Sequence, residues 1–513
     1  MTHLITSGSD WSFHDIENIT NEIETVAREM GYNWYTNQIE IINAEQMMDA
    51  YTTIGMPTMY NHWSFGKQFL KTKANYEANR QGLAYEIVIN SNPCIVYCME
   101  QNSLLMQALV IAHAGIGHNH FFKNNELFKQ WTNASDIIDY LEFSKKFITK
   151  CEEKYGLAAV EELVDIAHSL SGSDIFKYPR KEPLSLKKEM ERKIEKALEA
   201  ESEYNDLWRT VPKKEKLSKA EKKAKQQQLK FNLPEENLLF FLEQYSPVLA
   251  PWQREILRIV RNIAQYFYPQ SQTQIMNEGC ASWTHYNILY KLYDKGLASD
   301  GAIIEFLKSH AGVIYQPPYD SRHYNGINPY AIGIAMMDDI VRVCNNPKQE
   351  DYEWFNNASW VGAGNHMDVL KYAWCEFRDE SFIRQYLSPK VIRDFRLFTI
   401  LNNENTPHNY VVKNIHNEAG YKKVRNDFAD SHAIGYYRPS IEIVGLNMEG
   451  DRLLKMQFKS TQNRRLDLND ADLVVTGIAK LWGYEVELTC LNDDGEFNTR
   501  ISRSTKLENN VDE

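Results

Sequence analysis

Residues 103–125 read SLLMQALVIAHAGIGHNHFFKNN. Ser103 places a side-chain oxygen just ahead of an apolar run, the chemistry of a helix N-cap. The run from Leu104 to Ile116 is interrupted by Gln107 and His113, so it falls short of the ~20 residues that a membrane span needs. It predicts a helix that carries a histidine cluster into a protein core.

Upstream, Tyr85 to Asn90 and Cys94 to Cys98 are short, β-branched and aromatic. An Asn-Ser-Asn-Pro turn signal lies between them, which predicts a β-hairpin. Further upstream, Ser12 precedes Ile16, Ile19, Ile23, Val26 and Met30, spaced three and four apart on one helical face. Downstream, helical patterning covers Ser135 to Leu170, Pro234 to Phe267, Gln272 to Leu297, Ala331 to Cys344 and Val369 to Ile400. A charged insertion at about 181–232 interrupts this pattern; Lys213 to Lys225 is its most basic stretch, and Lys213 to Gln228 offers almost no apolar face. An Asn-rich segment, Asn402 to Asn409, reads as a linker. Beyond it, Asn417 to Asp430 reads as a helix, Ser440 to Met448 and Arg452 to Ser460 as strands, Asp470 to Trp482 as a helix and Tyr484 to Leu491 as a strand. The expected fold is a mainly α N-terminal body with a small β-hairpin over residues 1–400. A small C-terminal α/β domain follows over 408–500, then a flexible tail over 501–513.

Composition narrows the function classes. Lys and Arg number 57 against 69 Asp and Glu, a formal net charge of −12. Phosphate-tracking proteins need a positive surface, so no nucleic acid partner is expected. The basic run Lys213 to Lys225 lacks the interleaved aromatic residues that stack on bases. The seven cysteines are scattered, and Cys94 and Cys98 are spaced too widely for a Cys-x-x-Cys motif. They read as reduced thiols. Met1 to Trp11 has neither a basic nor an apolar segment of a secretory signal, so a cytoplasmic location is expected. No P-loop or dinucleotide glycine fingerprint is present.

Two constellations concentrate metal-type ligands. The first is His113-Ala-Gly-Ile-Gly-His118-Asn-His120. Residues five apart on an α-helix point roughly 140° apart. His113 and His118 face one point only if the helix bulges or ends there, and Gly115 and Gly117 permit either. The second is Asn277-Glu278-Gly-Cys-Ala281-Ser282-Trp-Thr-His285. Glu278 and His285 lie two turns apart on one face, about 10.5 Å along the axis. Ala281 and Ser282 between them allow close approach of another helix. Against the metal reading stands a plain alternative, buried imidazoles and an acid holding helices in register. The order of hairpin, histidine helix and later glutamate helix is similar to a zinc-peptidase plan, but Ala114 follows His113 where such a helix carries glutamate. The metal candidates are His113, His118, Glu278 and His285, with a divalent, zinc-like ion as the candidate cofactor. His62 and Lys67, in an aromatic glycine-containing segment, are candidate cleft or acid/base residues, as is His168 at a helix end. The catalytic residues stay unassigned.

Several strings together resemble the SpoVR (stage V sporulation protein R) family. They are His62-Trp-Ser-Phe-Gly-Lys67, His113 through Gly117-His118-Asn119 to Asn125, and Met276-Asn-Glu-Gly279 through His285. Pro251-Trp-Gln-Arg-Glu255, Gly326-Ile-Asn-Pro-Tyr330, Phe377-Arg-Asp-Glu-Ser381 and Leu481-Trp-Gly-Tyr-Glu-Val486 extend the resemblance from about Trp11 to Leu491. The resemblance implies a role in spore cortex formation, or in stress and stationary phase where no spore is made. It also implies a serine protein kinase and a von Willebrand-type protein as partners. It fixes no reaction. A regulator or scaffold is the expected function; the alternative is a metal-dependent hydrolase-like enzyme using the His/Glu site.

Overall fold

The computed structural model describes residues 4–6, 8, 10–53, 56, 59–77, 86–179, 231, 233–318, 321–397, 400–401, 411–412, 417–434, 439–448, 450–460 and 465–504. The expected linker at Asn402 to Asn409 and nearly all of the charged insertion lie outside them. Contacts divide the chain into two compact units: residues 1–164 with 262–438, and residues 165–261 with 439–513.

The first unit is helical around one large apolar core. Its first helix, Phe13–Glu29, starts where the sequence indicated. The Ser12 side chain accepts from the Asp15 amide, Asp15 answers in a capping box, and Ile16, Ile19, Ile23 and Val26 are buried. The predicted hairpin forms from Glu86–Ile89 and Cys94–Met99. It is larger than expected, because Asn37–Ile42 adds a parallel strand beside Cys94–Met99. We number these strands β1 (Asn37–Ile42), β2 (Glu86–Ile89) and β3 (Cys94–Met99). Their order is β1-β3-β2, so β2 is an edge strand.

Ser103 caps Leu104–Val110, its side chain accepting from the Met106 amide. The chain then continues as a π-helix over Ile111–His118 and returns to α over Asn119–Asn124. Two further helices complete the central packing, Gln274–Asp294 and Pro329–Asn345. Their backbones approach so closely that side chains are excluded at the crossings. A Cβ on Gly117 would lie 2.5 Å from the Ala281 Cα. One on Gly279 would lie 2.7 Å from the Gly333 backbone, and one on Gly333 would lie 2.4 Å from the Ile275 carbonyl oxygen. The small residues noted around Ala281 therefore serve close helix approach. At the start of Gln274–Asp294, the buried Asp379 carboxylate accepts from the Ile275 and Met276 amides, both at 2.9 Å. These are two of the donors that a helix start leaves unpaired.

The second unit holds a four-stranded sheet of Ile441–Leu446, Leu454–Lys459, Val486–Leu491 and Phe497–Arg503, in that order. The helix Leu468–Trp482 connects its two parallel central strands. The sequence reading differs from this in three respects. Residues 165–261 go with this sheet and not with the body: Glu235 and Ile443 exchange backbone hydrogen bonds of 3.0 and 2.8 Å, and Ile166 fills the space left by Gly477. The helix Glu418–Ser431 goes with the first unit, where Arg384 pairs with Asp430. The start of the expected flexible tail is a strand, with Ser502 opposite Glu487. All seven cysteines are free. Among the described residues, no helix is long and apolar enough to cross a membrane.

The glycine crossings give a stability test. Gly279→Ala must overpack a contact between backbones, and should cost about 1–3 kcal/mol. Gly66→Ala, in the helix Trp63–Glu77 with open space around it, should be neutral or mildly stabilising. Thermal melts of the two variants beside the parent check the contrast; equal melting temperatures would rule out the tight crossing.

Candidate functional site

The π-helix settles how two histidines five residues apart meet. Its hydrogen bonds run from residue i to i+5, which sets such residues one above the other. The His113 and His118 rings stand edge to face, with centroids 4.6 Å apart. The glycine crossing then brings Glu278 to them. Glu278 Oε2 lies 3.8 Å from His113 Nε2 and 3.5 Å from His118 Nε2. A second carboxylate arrives from β2, Glu86 Oε1 standing 3.3 Å from His113 Nε2. Glu86, His113 and His118 each bring one ligand atom within 4.8 Å of one another. This His/His/Glu cluster is able to hold a metal ion. Oε2 of Glu86 and Oε2 of Glu278 are both buried without a hydrogen-bond partner, an arrangement that a bound cation would relieve.

The surrounding groups orient the rings. Asn277 Oδ1 lies 2.9 Å from His118 Nδ1, which leaves Nε2 directed at Glu278. His113 Nδ1 bonds His285 Nδ1 at 2.8 Å, and His285 Nε2 bonds His310 Nδ1 at 2.8 Å. Both ring nitrogens of His285 are thus engaged by imidazoles, and in this arrangement it turns neither toward the carboxylates. The Tyr330 hydroxyl hydrogen-bonds Glu278. Asn328 positions it by accepting from the Tyr330 amide at 3.0 Å.

Burial and charge oppose each other here. Burial pushes Glu86 up to about 7, helped by the Glu278 charge, although His113 pulls it down. Burial works to lower His113, but Glu86 and Glu278 more than offset it and raise the ring above its ordinary value. Burial would raise Glu278, yet the two histidines hold it below the usual carboxylate range. Burial takes His118 down to about 4. A cavity of about 540 Å³ opens onto the cluster.

The other sequence candidates fall elsewhere. His62 is buried, its Nδ1 2.7 Å from the Ser64 hydroxyl, and it lines a separate cavity of about 390 Å³. Lys67 lies over the Trp63 ring. His168, half-buried near the end of Leu157–Ser169, belongs to the second unit. His120 turns away from the cluster, taking a hydrogen bond from the Asn33 amide at 3.1 Å and packing against Trp374. Sequence reasoning missed Glu86 and His310. Glu86 is a lone acid in an otherwise apolar strand, and that mismatch was the only signal. His310 stood alone near a helix end and gave none.

Residues 10–437 match the family described as SpoVR like protein, and residues 439–493 match its C-terminal domain. The chain is 47% identical over 497 residues to the uncharacterized protein YcgB of Escherichia coli (strain K12), covering 97% of this chain and 96% of that protein. No solved structure matches. The chain belongs to the SpoVR family.

His120 supplies a pH test. Burial, with the nearby Lys371 and Lys123 charges, lowers it to about 4. The folded state therefore keeps it neutral while the unfolded chain takes up a proton below ~6.5. Its contribution to stability is full above that pH and is lost as pH falls toward 4. The stability gap between the parent and His120→Gln should shrink by about 3 kcal/mol from pH 8 to pH 4. Urea unfolding of both proteins at the two pH values measures it; a gap independent of pH would contradict the assignment.

Proposed function

We propose that this SpoVR-family protein is a metal-dependent hydrolase whose centre is the His113–His118–Glu278–Glu86 cluster. One observation carries the reading: two imidazole Nε2 atoms and two carboxylates converge in the lining of a cavity of about 540 Å³, with a carboxylate oxygen on each acid left without a hydrogen bond. A structural ion pair has no need of a second carboxylate or of an opening, so the geometry favours this reading over the regulator or scaffold. His113, His118 and Glu278 supply the three protein ligands of an open, catalytic-type zinc site. Glu86 reaches the cluster from β2 as the second carboxylate, its Oε1 3.3 Å from His113 Nε2. It serves as the acid/base group that takes a proton from water and returns it to the leaving group. Tyr330 holds Glu278, and Asn277 and His285 orient the two rings. His62, Lys67 and His168 take no part.

The biological setting rests on the family resemblance alone. It is a cytoplasmic role in spore cortex formation or in the stress and stationary-phase response, in company with a serine protein kinase and a von Willebrand-type protein. These partners fit an enzyme under regulation as well as they fit a scaffold.

Metal analysis of protein purified without a histidine tag should find about one divalent ion per chain. Glu278→Gln should weaken zinc affinity by about 10–100-fold. Stoichiometric absence of metal, or zinc binding unmoved by Glu278→Gln, would return the cluster to a structural role.

A further inference from the structure

The cavity above the cluster has two unlike parts. One part of its lining is the cluster itself. The other part, called the wall below, comprises its apolar lining residues Val88, Met106, Leu109, Val110 and Val313. Three polar side chains also line it, and each already makes a hydrogen bond within the protein. The Ser309 hydroxyl donates to Met106 Sδ at 3.3 Å. Asn328 donates to the Val313 and Tyr315 carbonyls at 2.9 and 3.1 Å and accepts from the Tyr330 amide. Tyr330 is bonded to Glu278. The five apolar side chains offer a sugar or charged group no hydrogen bond in return for its lost water. An aliphatic group would gain by leaving water.

A second, independent feature concerns the main chain. β2 carries both Glu86 and Val88, one in the cluster and one in the wall. Among the described residues, it pairs with β3 only. A strand with one open edge offers backbone donors and acceptors to an incoming extended chain.

We propose that the cleft binds an extended peptide segment. An aliphatic side chain such as leucine seats against the Val88–Leu109–Val313 wall, the peptide backbone runs along the open edge of β2, and one carbonyl faces the cluster. The carbonyl's placement rests on the metal-hydrolase reading; the wall and the edge do not.

Calorimetry on zinc-loaded full-length protein tests it with four hydroxamates: acetyl-Leu-Leu, acetyl-Asp-Asp, N-methylated acetyl-Leu-Leu and octanoyl. Acetohydroxamate is the control for the metal. Acetyl-Leu-Leu hydroxamate should bind roughly tenfold or more tighter than the aspartate, N-methylated and octanoyl probes. Val313→Asp should remove the leucine preference while acetohydroxamate still binds, showing an intact site. Equal affinity for leucine and aspartate would overturn the wall, and octanoyl or N-methylated probes binding as well as the peptide would overturn the strand pairing. If acetohydroxamate fails to bind, the metal reading has failed by itself. The amides acetyl-Leu-Leu and acetyl-Asp-Asp then decide the peptide proposal, with a leucine preference supporting it and none ending it.

Discussion

The candidate site depends on one contact, the backbone-to-backbone crossing of three helices at Gly117, Ala281, Gly279 and Gly333. Packed helices with ordinary side chains stand 8–10 Å apart. Removing side chains at the crossing lets the π-segment and Gln274–Asp294 close further, and Glu278, one residue before Gly279, is carried into reach of both histidines. The same closeness makes the cluster's burial unavoidable. Charged and imidazole groups held this deep are costly unless they pair or bind a cation, and Oε2 of Glu86 and of Glu278 remain without a hydrogen bond. Asp379 anchors the start of the same helix, close to Glu278, by accepting from the first amides of Gln274–Asp294. It sits in Phe377-Arg-Asp-Glu-Ser381, a string with no visible chemistry of its own in the sequence.

Local signals were legible where local physics decides the outcome. Ser12 and Ser103 cap helices because a side-chain oxygen next to a free amide is a short-range matter. The turn between Asn90 and Pro93 marked the hairpin for the same reason. What the sequence withheld depends on distant partners. Asn37–Ile42 becomes a strand only because β3 offers it an edge. The helix Glu418–Ser431 was readable as a helix, but its place in the first unit depends on Asp379–Tyr386, about forty residues away. Within the site, the spacing of His113 and His118 posed the right question, bulge or end, and the structure answers with a full π-helix. Glu86 was illegible because a buried acid in a strand has meaning only once its partners are known.

The three linked histidines show how the cluster is held ready. Each imidazole–imidazole contact needs one donor and one acceptor. If His113 is an imidazolium between Glu86 and Glu278, its Nδ1–H donates to His285 Nδ1. The proton on His285 then sits on Nε2 and donates to His310 Nδ1. If His113 instead gives its Nε2 lone pair to a cation, Nδ1 still carries the proton and the outer order is unchanged. The raised affinity of His113 for a proton and its capacity to ligate thus draw on the same arrangement. Exchanging a proton for a cation at Nε2 asks nothing of His285 or His310. That economy explains why His285, two turns from Glu278 on the same helix, is worth burying as a neutral ring: it fixes the direction in which His113 points.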